Sequence, residues 1–417
     1  MHFWCARMWT KQSPVLPSLV LVALLGACAG RPENVLLPVS AIAPNTSKVD
    51  MLVATMRRAD TTSGEMYSGE RGKALSFANI VVSIPPDKTR KIGEVEWPKK
   101  TPGNPATDFV AMKAERLDLE QARQWVRSDA DVTPKRRVLV FVHGFNNRFD
   151  DAVFRSAQIV HDAGTPIVPV LFTWPSRASV FAYGYDREST NFSRDGFEQV
   201  LNLLAKDPSV GEITILAHSM GNWLTLETLR QMAIRDRRLP AKIKDVMLAA
   251  PDVDVDVFAN EIDDMGSPRP NFTLFVSQDD HALAISRRVW GSTARLGAID
   301  PTKEPYKTQL ASEHIAVVDL TKREGDDSLN HGKFSTSPEL VRLIGGRLED
   351  GQIIDDWHEG LGDRMFRESA NIGMATGEAV GLAVAAPESI VDPTSRRHLS
   401  SEADELKGVL GDTVTNR

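Results

Sequence analysis

Cysteine is scarce in this chain: two among 417 residues, Cys5 and Cys28, which allows at most one disulfide. Positive charge is short as well. The formal net charge is −7 and no long basic run is visible, which excludes the concentrated basic face of a nucleic-acid binder. Long apolar runs are missing too, since the strongest, residues 15–27, is too short to span a bilayer as a mature helix. No H-E-x-x-H pattern occurs among the histidines, and no internal repeat is found. What is present is ordinary for a soluble globular protein: 42% hydrophobic and 25% charged residues. The length suits one large domain with appendages, or two modest domains.

Residues 1–14 carry Arg7 and Lys11 but no acid, and an apolar run closing on small residues follows, the layout of a secretory signal peptide. Its end, LGAC (25–28), resembles the lipobox of bacterial lipoproteins. That resemblance implies cleavage before Cys28, lipidation of its sulfur and acylation of the new amino terminus. Cys5 would leave with residues 1–27, and no disulfide would then be possible. One acyl chain holds a protein only marginally, at about 0.8 kcal/mol per buried methylene, whereas two or three make the attachment effectively permanent. Ala29, rather than an aspartate, points to the outer membrane of a Gram-negative envelope. Residues 28–50 read as a Pro- and Ser-containing tether. The expected location is therefore the periplasmic face of a bacterial membrane.

From residue 51 the pattern changes. MLVATM (51–56) and ANIVVSI (78–84) read as short strands, GEVEWP (93–98) as a weaker one, and 99–107 as loop. ERLDLEQARQWVRSD (115–129) has the spacing of a short amphipathic helix. A strict alternation follows: strand 136–142, helix 149–164 closing on Gly164, strand 166–174, helix 195–206, strand 212–218 and helix 222–236. Buried strands 245–251, 272–277 and 314–320 complete it. Strands of near-continuous Val, Ile and Leu separated by helices predict an α/β domain with a mostly parallel central sheet and helices on both faces. The expected organisation is a leader (1–27), a tether (28–50), one body (51–348, its alternating core 136–348) and a C-terminal extension (349–417).

ITILAHSMGNWLTLETLR (213–230) places Ser219 at the join of a strand and a helix. A serine on so sharp a turn is pushed above the sheet in a strained conformation. The residues two before and two after it must be small, because a strand and a helix pass close by. Those positions hold Ala217 and Gly221, and alanine adds only one methyl group. Such a nucleophile needs an acid and then a histidine downstream. His2, His143, His161 and His218 come too early; His281 sits where the acid belongs and His314 begins the last strand. His331, in the polar loop after HIAVVDL, is the expected base, with His358 and His398 as more distant alternatives. The acid is Asp279 or Asp280 after FTLFVS, or one of Asp252, Asp254 and Asp256 after DVMLAAP. An oxyanion would be received by the backbone N–H groups of Met220 and Phe145, with Gly144 letting the backbone approach closely. His143 reads as a structural hydrogen-bonding residue.

VLVFVHGFNNRFDDAVFRSAQI, FTWPSR, the stretch from Tyr185-Asp186 to Ser193, LAHSMGNW, APDVDVDVF and SQDDHALAISRRV together resemble the α/β-hydrolases. Within them the likeness is to a bacterial esterase- and lipase-like group of largely unassigned function. AHSMG is also the form this turn takes in several bacterial lipases. The resemblance spans roughly residues 50–345 and implies the α/β-hydrolase fold. The group's aspartate near an Ala-Leu pair corresponds to Asp280, ahead of His281-Ala282-Leu283. The resemblance thus implies Ser219, Asp280 and His331 as a triad, and it supplies no substrate.

In the segment 176–195, Phe181, Tyr183 and Tyr185 are placed either to wall an acyl pocket or to pack the loop down. Near the C-terminus Ser369, Gly373, Gly377, Gly381 and Ala385 recur every four residues, a small-residue stripe suited to close helix packing on the body or on an envelope partner. A flexible tail is the other reading of that stretch, and beyond residue 393 the chain is polar. The expected function is a lipid-anchored serine hydrolase that cleaves carboxylic acyl esters through an acyl-enzyme, with no metal or cofactor. Its partners would be the ester substrate and, through Cys28, the membrane. The alternative is a non-catalytic envelope lipoprotein that uses the fold as a binding or scaffold module.

Overall fold

Strands that carry apolar side chains on both sides need helices over both faces, and the molecule is assembled on that requirement. The computed structural model describes residues 32–61, 64–131, 133–289, 293–323 and 329–350. The leader, Cys28, His358, His398 and the small-residue stripe lie outside the described residues. The chain opens with β1 (Ser47–Ala59), β2 (Tyr67–Ile84) and β3 (Val110–Leu117), followed by α1 (Leu119–Asp131). Next come β4 (Arg137–Val142), α2 (Phe149–Ala163), β5 (Val168–Thr173), α3 (Tyr183–Lys206), β6 (Glu212–His218) and α4 (Met220–Asp236). The series continues with β7 (Ile243–Ala249), α5 (Val255–Met265), β8 (Asn271–Val276), α6 (His281–Val289), α7 (Tyr306–Ser312) and β9 (Ala316–Asp319). It ends with α8 (Lys333–Thr336) and α9 (Pro338–Asp350).

The nine strands form one sheet in the order β3-β2-β1-β5-β4-β6-β7-β8-β9. β1, β2 and β3 pair antiparallel, and every other neighbouring pair is parallel. Alternate residues of β4 show how the two faces are filled. Val138, Val140 and Val142 join a core with Val126 of α1, Val200 of α3, Leu224 of α4 and Phe258 of α5. Leu139 and Phe141 join a second core with Phe149 and Phe154 of α2 and Ile344 of α9. The register keeps the carboxyl ends of the central strands level: Val142 pairs with Ala217, His218 with Ala249, and Ala249 with Phe275. The loops after β4, β6, β7 and β8 therefore open at one edge.

The succession of parallel strands matches the sequence pattern, and four stretches depart from it. GEVEWP is not a strand; its Val95 and Trp97 pack half-buried on the second core. The edge strand is β3, and it runs through residues 115–117, which the amphipathic spacing assigns to a helix. A capping box stops it: Gln121 N donates to Asp118 Oδ1 and Asp118 N to Gln121 Oε1, both at 2.8 Å, so the helix starts only at Leu119. α3 begins twelve residues earlier than the apolar spacing predicts, because Asp186, Ser189, Thr190 and Ser193 are buried polar residues that hide the helical period. Within the expected tether, Val35 and Leu36 are buried in the second core and β1 already starts at Ser47. Among the described residues no helix is long and apolar enough to cross a membrane.

Candidate active site

Ser219 sits between β6 and α4 with φ 52° and ψ −124°, a left-handed conformation for a residue with a side chain. Such a residue costs of the order of 1–3 kcal/mol and persists only where its surroundings hold it. The holding groups are visible. Ser219 N donates to Ala249 O (2.9 Å), and Asn222 Nδ2 bridges Ser219 O and Ala249 O, each at 2.9 Å. A Cβ on Gly221 would lie 2.4 Å from His143 O and 2.9 Å from Val142 O, so glycine is required there. Ala217, fully buried at the last β4–β6 pair, fits with its methyl group. A Cβ on Gly144 would meet Ser219 Cβ at 2.8 Å, which puts the loop after β4 directly against the serine.

Asp280 and His331, 51 residues apart, meet at this edge: His331 Nδ1 lies 2.7 Å from Asp280 Oδ2. Asp280 is fully buried, and its other oxygen accepts from Leu283 N at 3.0 Å, capping α6. Both carboxylate oxygens are therefore directed. His281 N donates to Leu329 O (2.9 Å) and Asn330 Nδ2 to Asp279 O (3.3 Å), which seats the His331 loop on the Asp280 loop. His331 also borders the turn that carries Ser219. Its carbonyl accepts from His218 Nε2 at 3.3 Å, and the two imidazole rings are 4.8 Å apart. His218 is held neutral, its pKa lowered well below the ordinary value by burial and then by the charge of His331.

The competing acids are engaged elsewhere. Asp279 accepts from Lys333 Nζ at 2.7 and 2.8 Å and from Ser277 Oγ. Lys333, buried, also donates to Leu320 O (3.2 Å), tying the ends of β8 and β9 to the segment after His331. Asp252 accepts from Tyr183 OH and, at 2.6 Å, from Ser286 Oγ, with Arg295 Nε at 3.5 Å. Asp254 caps α5 through Asp256 N and Val257 N. Asp256 lies in the first turn of that helix. Neither Asp279 nor the Asp252 group thus meets His331 among the described hydrogen bonds.

Met220 follows Ser219, Phe145 follows the Gly144 that packs against Ser219 Cβ, and neither backbone N–H donates to another described residue. His143 is structural in its geometry: Trp174 N donates to Nε2 (3.1 Å), Nδ1 faces Gly144 O (2.8 Å) and the ring stacks on Trp174. Burial, then the charge of Arg57, pushes its pKa down to about 3. Of the three aromatic residues expected near a pocket, only Tyr183 faces the site, its ring 5.0 Å from that of Phe145. Tyr185 turns instead to the β1–β2 hairpin under Arg177 (3.6 Å), and Phe181 is 75% exposed. The one described cluster with metal-ligand spacing, Asp87, His161 and Asp162, is already filled by a cation, since Arg90 pairs with both carboxylates.

Lys333, Arg57 and Asn147 are not singled out by the sequence. Arg57 had a signal: it stands in phase with Met51, Val53 and Thr55 on a buried strand face, where an arginine must have a polar purpose. A lysine or an asparagine in a polar loop carries no such mark.

Residues 118–347 match the model of a family described as alpha/beta hydrolase of unknown function (DUF900). No curated protein matches the chain significantly. Solved structures similar to it include one from a study of two fungal esterases of Rhizomucor miehei, at 14% identity, covering 83% of this chain and 92% of that one, TM-score 0.30. A predicted CIB-like hydrolase from Thermoplasma acidophilum has 18% identity over 51% of this chain and 86% of its own, TM-score 0.31. A proline iminopeptidase-related protein from Thermus thermophilus has 17% identity over 53% and 92%, TM-score 0.27. Likenesses of this size transfer no activity.

Proposed function

Because this chain belongs to the alpha/beta hydrolase family of unknown function (DUF900), whose model covers more than half of it, we propose that it is a serine hydrolase acting on acyl esters. In this reading Ser219 Oγ attacks the acyl carbonyl while His331 Nε2 takes its proton. Asp280 holds Nδ1, fixes the tautomer that leaves Nε2 free to accept, and stabilises the imidazolium that forms. The oxyanion is received by the Phe145 and Met220 amides; one such donor is typically worth about 2.7–4 kcal/mol of transition-state stabilisation. His331 then protonates the leaving alcohol and activates the water that releases the acid. The observation that carries this is the 2.7 Å contact from His331 Nδ1 to Asp280 Oδ2 beside a serine held at φ 52°. The lipobox-like LGAC adds the second half of the proposal: attachment through Cys28 to the periplasmic face of the outer membrane, which favours acyl lipids or their fragments as substrates.

The test is a fluorophosphonate probe on residues 29–417, with the adduct located by peptide mass spectrometry and Ser219→Ala run alongside. A stoichiometric adduct on Ser219, absent from the variant, is expected. A folded protein that takes no probe would sink the catalytic reading and favour a binding or scaffold lipoprotein.

A further inference from the structure

The loop that brings Phe145 to Ser219 is fastened from behind by a buried polar network that no part of the proposed chemistry uses. Arg57 of β1 is buried, and its guanidinium is spent on backbone and hydroxyl groups. Nε donates to Thr173 Oγ1 (2.8 Å), Nη1 to Ser176 O (2.9 Å) and Nη2 to Asn147 O (2.9 Å). Asp186, also buried, accepts from Ser176 Oγ at 2.5 Å, from Arg177 N at 2.9 Å and from the Asn146 amide. Ser176 Oγ in turn accepts from Asn147 N at 3.1 Å. The loop's amides at 146 and 147 and its carbonyl at 147 are thus all bound to a fixed frame.

Asn147 transmits this to the amide that matters. Its Nδ2 donates to Gly144 O (3.2 Å) and Phe145 O (2.8 Å), and His143 Nδ1 reaches the same Gly144 oxygen at 2.8 Å. Gly144 O and Phe145 N belong to one planar trans peptide, in which C=O and N–H point in opposite directions. Holding the oxygen toward Asn147 and His143 therefore aims the Phe145 N–H away from them. Without that hold, the peptide can turn over through ψ of Gly144, which no side chain restricts, and φ of Phe145, and so present its oxygen instead.

We infer that Asn147, anchored by Arg57 and Asp186, is the positioning residue that keeps the 144–145 peptide oriented with its N–H available as an oxyanion donor. The inference rests on the serine-hydrolase reading. It predicts a distinctive pair of substitutions. Asn147→Ala removes the Asn147 half of the grip and leaves only His143 Nδ1 on the Gly144 oxygen. Asn147→Asp keeps the shape but sets a carboxylate against two carbonyl oxygens, so it is expected to be the worse of the two. A merely structural asparagine would show its loss in the thermal melts, with kcat of the folded variants near wild type.

The experiment measures kcat and KM on a short p-nitrophenyl ester, together with thermal melts and crystal structures, for the wild type, Asn147→Ala, Asn147→Asp and the milder Asn147→Ser. The expected result is a fall in kcat of about 10²–10³-fold for Asn147→Ala, the size of one lost oxyanion donor. The fall should be larger for Asn147→Asp, with KM within about threefold of wild type, since ground-state binding is not the interaction removed. Wild-type kcat in folded Asn147→Ala and Asn147→Asp would overturn the inference. Should Asn147→Ala fail to fold, Asn147→Ser is judged by the same kcat-to-KM split. Should the wild type take no probe at Ser219 and cleave no ester, the hydrolase reading fails. The crystal structures then decide the positional claim: a 144–145 peptide still in the wild-type orientation in Asn147→Ala refutes it, and a turned peptide supports it.

Discussion

Asp279 and Asp280 are neighbours in sequence and opposites in surroundings. Asp280 is enclosed, with one oxygen on His331 and the other on the Leu283 amide, whereas Asp279 leans out to Lys333 and Ser277. Separate consequences follow for each. Asp280→Asn keeps an acceptor for Leu283 N but offers His331 an amide, favouring the wrong imidazole tautomer. Ester turnover is expected to fall about 10⁴-fold with little change in Tm. Asp279→Asn leaves the buried Lys333 ammonium without its counter-charge, so it is expected to lower Tm while most of the turnover survives. Steady-state kinetics and melts on both proteins check this, and the reverse pattern would transfer the acid's role to Asp279. At the same scale, Ala217 where glycine is usual needs no compensation. The close approach that demands a missing side chain occurs at Gly221 and Gly144.

Among the elements, α5 carries an internal inconsistency. Its inward face holds Phe258, Ile262 and Met265, and also Glu261, whose two carboxyl oxygens are buried with no hydrogen-bond partner among the described residues. Burial, then the nearby charge of Glu227, raises its pKa to about 9. The folded protein thus keeps this proton over a range in which the unfolded chain, with a value of 4.5, has released it. Stability from this group is complete below pH 4.5 and is lost progressively as pH rises toward about 9. Glu261→Gln removes that slope. The melting temperatures of Glu261→Gln and wild type should diverge from pH 5 to pH 9 in favour of the variant, by at least ~2 °C at the upper end. A pH-independent difference would show that Glu261 is already charged or solvated. α3 teaches a related lesson, since its hidden first half is stabilised by buried Asp186, Ser189 and Ser193 rather than by an apolar stripe.

For the whole molecule, the level carboxyl ends of β4, β6, β7 and β8 gather four loops on one edge, and the N-terminal meander extends the sheet beside β5. Because Val35 and Leu36 already belong to the core, a lipidated Cys28 would be joined to the body by only about 25 Å of extended chain. The proposed anchor would hold the body at the lipid surface rather than at the end of a long leash. Mass spectrometry of the protein extracted from membranes is expected to show a chain that begins at an acylated Cys28, and Cys28→Ser is expected to abolish both the acyl mass and the removal of residues 1–27. A wild-type chain with an unmodified Cys28 would count against the anchor. The strand order of the alternating core was legible from residue 136 onward, because each buried strand there states its own apolar run, whereas the first half of α3 hides its period. The meander was less so: β3 reads VAMKAERL, broken by Lys113, Glu115 and Arg116 on the sheet edge, and its end is set by a two-residue capping box.

The amino-acid order alone determined the α/β alternation, the strand-to-helix turn at Ser219 and the position of His331 in the loop after the last strand. These are local properties, written in periodicity, in turn sterics and in chain order. Only the tertiary structure decided which aspartate His331 meets and what holds the Phe145 peptide in place. His331 and Asp280 are 51 residues apart, and Arg57 and Asn147 are 90 apart. Such pairings depend on the direction of side chains from strands brought level by the sheet, which no local pattern encodes.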